Sequence, residues 1–229
     1  MANEIISYLD MCTREGGTQL QKGMNFRMKG HHSVLLMSVR ENAPYADRVV
    51  DDGDTLVYEG HDVTKTEHPI PKTVDQPMRL PSGGLTENGK FYEAAIKAAK
   101  GEEPPERVRV YEKIKKGIWS YNGVFHLMDS WLEDDDHRKV FKFKLVAIEG
   151  DEDFSAPVKK DAPHRRIIPT DVKLAVWQRD GGKCVECGAS DELHFDHILP
   201  YAKGGTSMKV DNVQLLCARH NLSKSDRIL

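Results

Sequence analysis

No stretch of this sequence approaches the roughly 18 consecutive apolar residues that a membrane span needs. The start, Met1-Ala2-Asn3-Glu4, also lacks the basic and then apolar pattern of a secretory leader. A cytoplasmic protein is the expectation. Cysteine is scarce, with four in 229 residues. Three of the four crowd into the last third in a paired arrangement while Cys12 stands alone, and in a cytosolic chain that pattern suggests metal before disulfides. A strong charge of one sign is lacking too: the formal net charge is −3, so nothing global announces a polyanionic partner. The charge is uneven, however, with acidic clusters at Glu133 to Asp136 and Glu149 to Asp153. Arg165, Arg166, Lys203, Arg219, Lys224 and Arg227 fall in the last third, which leaves room for a local basic face. Internal repeats and low-complexity tracts are missing.

What is present is the composition of a soluble globular protein, 39% hydrophobic and 30% charged, long enough for one large domain or two ordinary ones. Ser33 to Val39, Thr55 to Tyr58, Arg107 to Ile114, Val124 to Leu132 and Val140 to Ile148 alternate apolar with polar residues or run apolar with β-branched and aromatic content, and read as strands. Phe91 to Lys100 reads as a helix. Together they predict a mainly β domain, a barrel or a curled sheet, over 1–150. The acidic and then Pro- and Lys-bearing segment 151–166 has the composition of a linker. A second domain follows over 167–229, opening on a helix that Thr170 or Asp171 can cap and that Gly181-Gly182 ends. The fold class is α+β.

Two half-sites stand out in the second domain, Cys184-x-x-Cys187 and Cys217-x-x-His220. Zinc favours four tetrahedral thiolate and imidazole ligands, and a two-residue gap lets both side chains of a pair turn toward one ion. A segment of this size buries little core and is suited to such a staple. Between the pairs lie Asp196-His197, a polar Gly-rich loop from Pro200 to Ser207, and Asn212. Adjacent strand residues point apart, so Asp196 can hold a hard cation while His197 takes a proton from water. Asn221, on a probable helix from Ala218, can add a second oxygen ligand, and Mg²⁺ or Mn²⁺ held by few protein oxygens keeps positions open for phosphate and water.

The run from Cys184 to Lys224 resembles the HNH nuclease family, which has a ββα-metal fold. The resemblance implies His197 as general base, Asn212 as a brace for the loop, and a metal held by Asp196 and a helix residue. That helix residue is either His220 or Asn221. His220 also completes the zinc pairs, and a helix turns about 100° per residue. His220 is therefore assigned to zinc and Asn221 to the catalytic ion, with the reverse left open. Lys224, one turn beyond, can contact the scissile phosphate or stay solvated.

In the N-terminal domain, Tyr45-Ala46-Asp47, the acidic Gly turn leading to Tyr58-Glu59-Gly60, and the strand Tyr121-Asn122-Gly123 running on to Trp131 resemble the SRA domain, whose members flip a modified cytosine out of DNA. The resemblance implies that Tyr45 and Tyr58 sandwich the base and that Asp47 accepts from its edge. Stacking on an aromatic face contributes about 1–3 kcal/mol per base, against a flipping cost of a few kcal/mol. A strand tyrosine taken alone more often packs in a core with its hydroxyl tethered; Trp119, Tyr121 and Trp131 are read that way.

The expected protein is a modification-dependent (type IV-like) restriction endonuclease: double-stranded DNA containing 5-methylcytosine or 5-hydroxymethylcytosine as partner, structural zinc plus a catalytic divalent ion, and a homodimer, or two molecules acting in turn, to cut both strands. Two rivals stay open: a non-catalytic reader with a zinc module, and an HNH nuclease indifferent to modification.

Overall fold

The computed structural model describes residues 2–17, 19–20, 22–28, 32–150, 154, 157–158, 166–200 and 203–224. Most of the expected linker lies outside the described residues. The chain opens with strand β1 (Glu4–Ile6) and helix α1 (Tyr8–Arg14), then β2 (Met24–Met28), β3 (His32–Met37), β4 (Arg48–Val50) and β5 (Thr55–Glu59). Helix α2 (Glu87–Ala99) precedes a meander of three long strands, β6 (Glu106–Lys115), β7 (Ile118–Asp135) and β8 (Arg138–Ile148). Two-residue turns join the meander, and each has a left-handed residue as such turns require: Gly117 at φ 80° and Asp136 at φ 41°. The C-terminal unit comprises α3 (Thr170–Arg179), β9 (Leu193–His197), β10 (Val213–Cys217) and α4 (Ala218–Lys224). The expected α+β class, with a mainly β N-terminal part, is what the chain adopts.

One sheet of ten strands runs β10-β9-β1-β7-β6-β3-β2, with β8, β5 and β4 branching from β7. The branching follows from the length of β7: Trp119 to Tyr121 pair with β1, while Val124 to Asp135 pair with β8. Phe91 and Ala95 of α2 bury against the sheet with Leu35, Phe125 and Phe143, and the Phe91 ring meets Phe26 and Phe143 edge-on at 5.3 and 5.9 Å. Helix α2 begins earlier than its apolar period implies, because the Thr86 hydroxyl caps it by accepting from the Gly89 N–H at 3.1 Å.

The two units share more than a tether. Strand β1 pairs with β7 on one side and meets β9 at His194 on the other. Ile167 packs into the N-terminal core and its neighbour Ile168 into the C-terminal one. Between them, the Lys173 ammonium donates to Glu112 Oε2 at 2.5 Å and to Asn122 Oδ1 at 2.7 Å, all three groups being buried. A buried ion pair is tolerated when its remaining hydrogen-bonding capacity is met, and the Thr170 hydroxyl meets it by donating to Glu112 Oε1. Thr170 is therefore not the expected cap: Pro169 holds the N-cap position of α3, with no side-chain cap bond.

A third cluster packs Met11 and Cys12 of α1 with Leu20, Val34, Tyr111 and Tyr121. At its edge the buried Glu15 carboxylate accepts from the Tyr111 hydroxyl at 2.5 Å and from Arg109 at 3.1 Å, with His32 Nε2 at 2.6 Å. Burial alone would raise this carboxyl, but the His32 and Tyr111 hydrogen bonds and the Arg109 charge outweigh it and hold the pKa down at about 2. A depressed carboxyl contributes stability that is present above its unfolded pKa and lost as pH falls toward the folded one. The urea midpoint is expected to fall between about pH 4.5 and pH 2, with a contribution on the order of 3 kcal/mol from this residue. Glu15→Gln should destabilise the protein at pH 7 and flatten that slope; an unchanged slope would contradict the assignment.

Candidate functional site

Cys184 follows α3, Cys217 ends β10 and His220 lies one turn into α4, so the fold carries both half-sites to one point. One ligand atom from each of Cys184, Cys187, Cys217 and His220 lies within 4.8 Å of the others. His220 Nδ1 is 3.4 Å from the Cys184 and Cys217 sulfurs, and the Cys187 and Cys217 sulfurs are 3.9 Å apart. Zinc–sulfur bonds of about 2.3 Å imply ligand edges of about 3.7 Å, so the set fits a tetrahedral ion. Burial would raise the Cys184 thiol, yet backbone N–H groups of Cys217, Cys187 and Glu186 bring it down to about 6, favouring the thiolate a metal takes. Cys12 is apart, on the buried face of α1.

Strands β9 and β10 run antiparallel with Asp196 opposite Gln214 and His197 opposite Val213. Asp196 Oδ2 accepts from Gln214 Nε2 at 3.3 Å and from the Lys224 ammonium, which also donates to the His197 carbonyl. Lys224 is buried, not solvated. His197 Nε2 lies 2.9 Å from the hydroxyl of buried Ser207. Burial lowers the basicity of His197 and the Lys224 charge lowers it further, against the opposing Asp196 carboxylate. The shift favours the neutral ring, the form able to accept a proton. Asn212 Oδ1 accepts from the Leu199 N–H at 2.8 Å, and its Nδ2 donates to the Leu199 and Thr206 carbonyls at 3.0 and 2.9 Å, closing the loop between them. Asn221 follows His220 on α4, half-buried; among the described residues Asp196 is bonded by Gln214 and Lys224 and not by Asn221.

On the N-terminal unit a cavity of about 380 Å³ is lined by Arg40, Pro44, Tyr45, Asp47, Glu59 and Lys72, among others. Asp47 Oδ2 accepts from the Ser38 N–H and its Oδ1 from the Glu59 N–H, both at 3.0 Å. Burial pushes the Asp47 carboxyl up to about 7 despite those bonds, and the Glu59 charge adds to the rise. Glu59 is itself buried and accepts from Lys142 at 2.8 Å and from the Ala46 N–H at 3.1 Å. The Tyr45 ring stacks on His61, with centroids 4.8 Å apart and planes 10° apart, and the Lys72 ammonium lies 4.5 Å from its centroid. Tyr58 is elsewhere: 1% exposed, in the core with Leu35 and Phe143, its hydroxyl donating to the Leu36 carbonyl at 3.3 Å and lying 3.0 Å from His61 Nε2. Gly60 is needed for close packing, since a Cβ there would come within 2.6 Å of Gln76 Oε1 and 2.8 Å of Asn88 Oδ1. The structure thus brings Tyr45 and Asp47 to one cavity and leaves Tyr58 behind it. Of the aromatics read as core, Tyr121 is buried, and Trp119 and Trp131 are half-buried.

Residues 184–227 match the family model of the HNH endonuclease. The C-terminal unit carries an HNH endonuclease domain. The chain is also similar to the histone-lysine N-methyltransferase family member SUVH2 of Arabidopsis thaliana, 30% identical over 125 residues, 54% of this chain and 18% of that protein. It therefore spans less than a fifth of the length of that relative. Among solved structures it is similar to the SUVH5 SRA domain in complex with hemimethylated CG DNA, with 26% identity over 63% of this chain and 86% of that one and a TM-score of 0.43. It is similar also to the modification-dependent TagI restriction endonuclease, with 19% identity over 99% of this chain and 78% of that one and a TM-score of 0.43.

Within the HNH domain, two residues that the sequence pattern does not single out touch the candidate catalytic pair: Ser207 at His197 and Gln214 at Asp196. Gln214 follows from the strand register once β9 and β10 are paired, whereas Ser207 depends on the path of the intervening loop. Among the described residues no helix is long and apolar enough to cross a membrane.

Proposed function

We propose that the chain is a modification-dependent DNA endonuclease: the N-terminal domain captures 5-methylcytosine or 5-hydroxymethylcytosine in duplex DNA, and the HNH domain hydrolyses a nearby phosphodiester, restricting modified foreign DNA. The carrying observation is the pairing in one chain of an HNH domain that holds His197 next to Asp196 with a separate cavity that Tyr45 and Asp47 line. His197 takes a proton from the attacking water, and the Ser207 hydroxyl holds its ring. Asn212 braces the loop that carries Ser207. The Lys224 ammonium donates to Asp196 Oδ2 and fixes the orientation of that carboxylate. Cys184, Cys187, Cys217 and His220 bind a structural zinc. A Mg²⁺ or Mn²⁺ ion held by the oxygens of Asp196 and Asn221 would supply charge stabilisation at the phosphate and the leaving 3′ oxygen.

In the reader, the Tyr45 ring stacks on the flipped base, and Asp47 accepts from the cytosine amino group, which distinguishes cytosine from thymine. Residues 1–150 and 167–229 form the two functional units. One HNH site cuts one strand, so a homodimer in the cytoplasm completes a double-strand break. Tyr45→Ala tests the reader half: cleavage of a duplex with a single 5-methylcytosine is expected to fall about tenfold or more, and cleavage of the unmodified duplex to stay as it was. A preference untouched by the substitution would remove Tyr45 from substrate choice.

A further inference from the structure

His61 is the aromatic that neither the motif nor the roles above employ. Its backbone is pinned at both ends by one buried side chain: Asn88 Oδ1 accepts from the His61 N–H, and Asn88 Nδ2 donates to the His61 carbonyl, each at 2.8 Å. The ring is packed as tightly. Nε2 is 3.0 Å from the Tyr58 hydroxyl, and a Cβ on Gly23 would stand 2.7 Å from Nε2, so only glycine leaves room there. Burial lowers the basicity of this imidazole to about 4, which leaves it neutral at physiological pH.

The outer face of this fixed ring lies nearly parallel to Tyr45. Tyr45 differs in setting: half-buried between exposed Pro44 and Ala46, on a connecting segment, at the edge of the cavity. Of the stacked pair, then, His61 is the fixed partner, while Tyr45 lies on an exposed segment with the mobile side chain of Lys72 over its ring and is the one placed to shift. Tyr58 offers no open face, because its ring is enclosed by the core and its hydroxyl is occupied with Leu36 and His61.

We propose that His61, and not Tyr58, is the second aromatic wall of the base slot. A flipped cytosine inserts between Tyr45, which swings outward, and His61, which stays; Tyr58 acts from behind as the brace that holds the imidazole plane. The stacked Tyr45–His61 pair is the closed form of the slot, and each ring exchanges its contact with the other for a contact with the base. This inference rests on the base-capture reading.

The test uses the full chain without Mg²⁺, so that binding is read without cleavage, and compares affinities for a duplex with one 5-methylcytosine and its unmodified counterpart. His61→Phe keeps a flat ring without the bond to Tyr58, whereas His61→Gln keeps a polar partner for Tyr58 without the ring. His61→Gln and His61→Ala are expected to lose about tenfold or more of methylated-duplex affinity, as Tyr45→Ala does, and His61→Phe to stay within a few-fold of wild type. A 2-aminopurine next to the modified base should brighten on binding to wild type and His61→Phe only. If His61→Gln binds as wild type does and His61→Phe fails, the ring is a brace and the wall assignment is overturned. Tighter binding by His61→Ala overturns it too, since the ring would then be an obstruction, while loss on Tyr45→Ala would leave base capture standing. If wild type binds both duplexes equally and Tyr45→Ala changes nothing, base capture itself falls and the inference with it.

Discussion

His197→Ala is expected to lower the rate of phosphodiester cleavage by about 100- to 10,000-fold, the range for losing a positioned general base, with DNA affinity and thermal midpoint close to wild type. The ring is half-buried, its basicity is lowered by that burial, and the hydroxyl of Ser207 lies 2.9 Å from its Nε2 and orients it. Removing it strips the site of its proton acceptor but leaves the Asp196–Lys224 contact and the Asn212-braced loop in place. Ser207→Ala should cost less, because the ring survives and loses only its orientation. Single-turnover cleavage separates these effects from product release. A His197→Ala protein that cuts at the wild-type rate would show that some other group activates the water.

Removal of zinc should have the larger structural effect. The C-terminal unit packs around about ten buried residues, among them Ile168, Val172, Val176, Phe195, Val213 and Leu215, and two of its buried members, Cys184 and Cys217, belong to the candidate metal cluster. Structural zinc contributes about 10–16 kcal/mol in small domains, comparable with the roughly 5–15 kcal/mol of a whole domain's stability. One zinc per chain is expected in the purified protein. A strong chelator, or Cys217→Ser, should abolish cleavage and unfold the segment from β9 to α4. Adding Zn²⁺ together with Mg²⁺ should restore activity to the chelated protein, and Mg²⁺ alone should not. Activity that survives complete loss of zinc would contradict the structural role.

What the sequence discloses depends on how local each feature is. Strands β3, β5, β6, β8 and the middle of β7 are legible because β-branched, aromatic and other apolar residues run or alternate over four or more positions, and the cysteine pairs because two-residue spacing is itself the signal. Strand β1 has only three residues and becomes a strand through its partners on either side, β7 and β9. Thr170 looks like a cap by type, yet its hydroxyl is engaged by Glu112, 58 residues away in the chain. Tyr58 has the residue type and spacing of a base-stacking ring, but strand β5 is buried along its whole length, and the core takes the ring. His61 lies three residues on, without a motif of its own; its relevance comes from Asn88, Gly23 and Tyr45 converging on it from separate segments.

The most direct measurement is cleavage, with Mg²⁺ or Mn²⁺, of matched duplexes that differ only in carrying unmodified, 5-methyl- or 5-hydroxymethylcytosine, run beside the His197→Ala protein. Cleavage of modified duplexes alone, abolished by the substitution, is the predicted result. Equal cleavage of all three would leave a nuclease indifferent to modification, and selective binding of modified duplexes without any cleavage would leave a reader whose HNH site is silent; either would contradict the account.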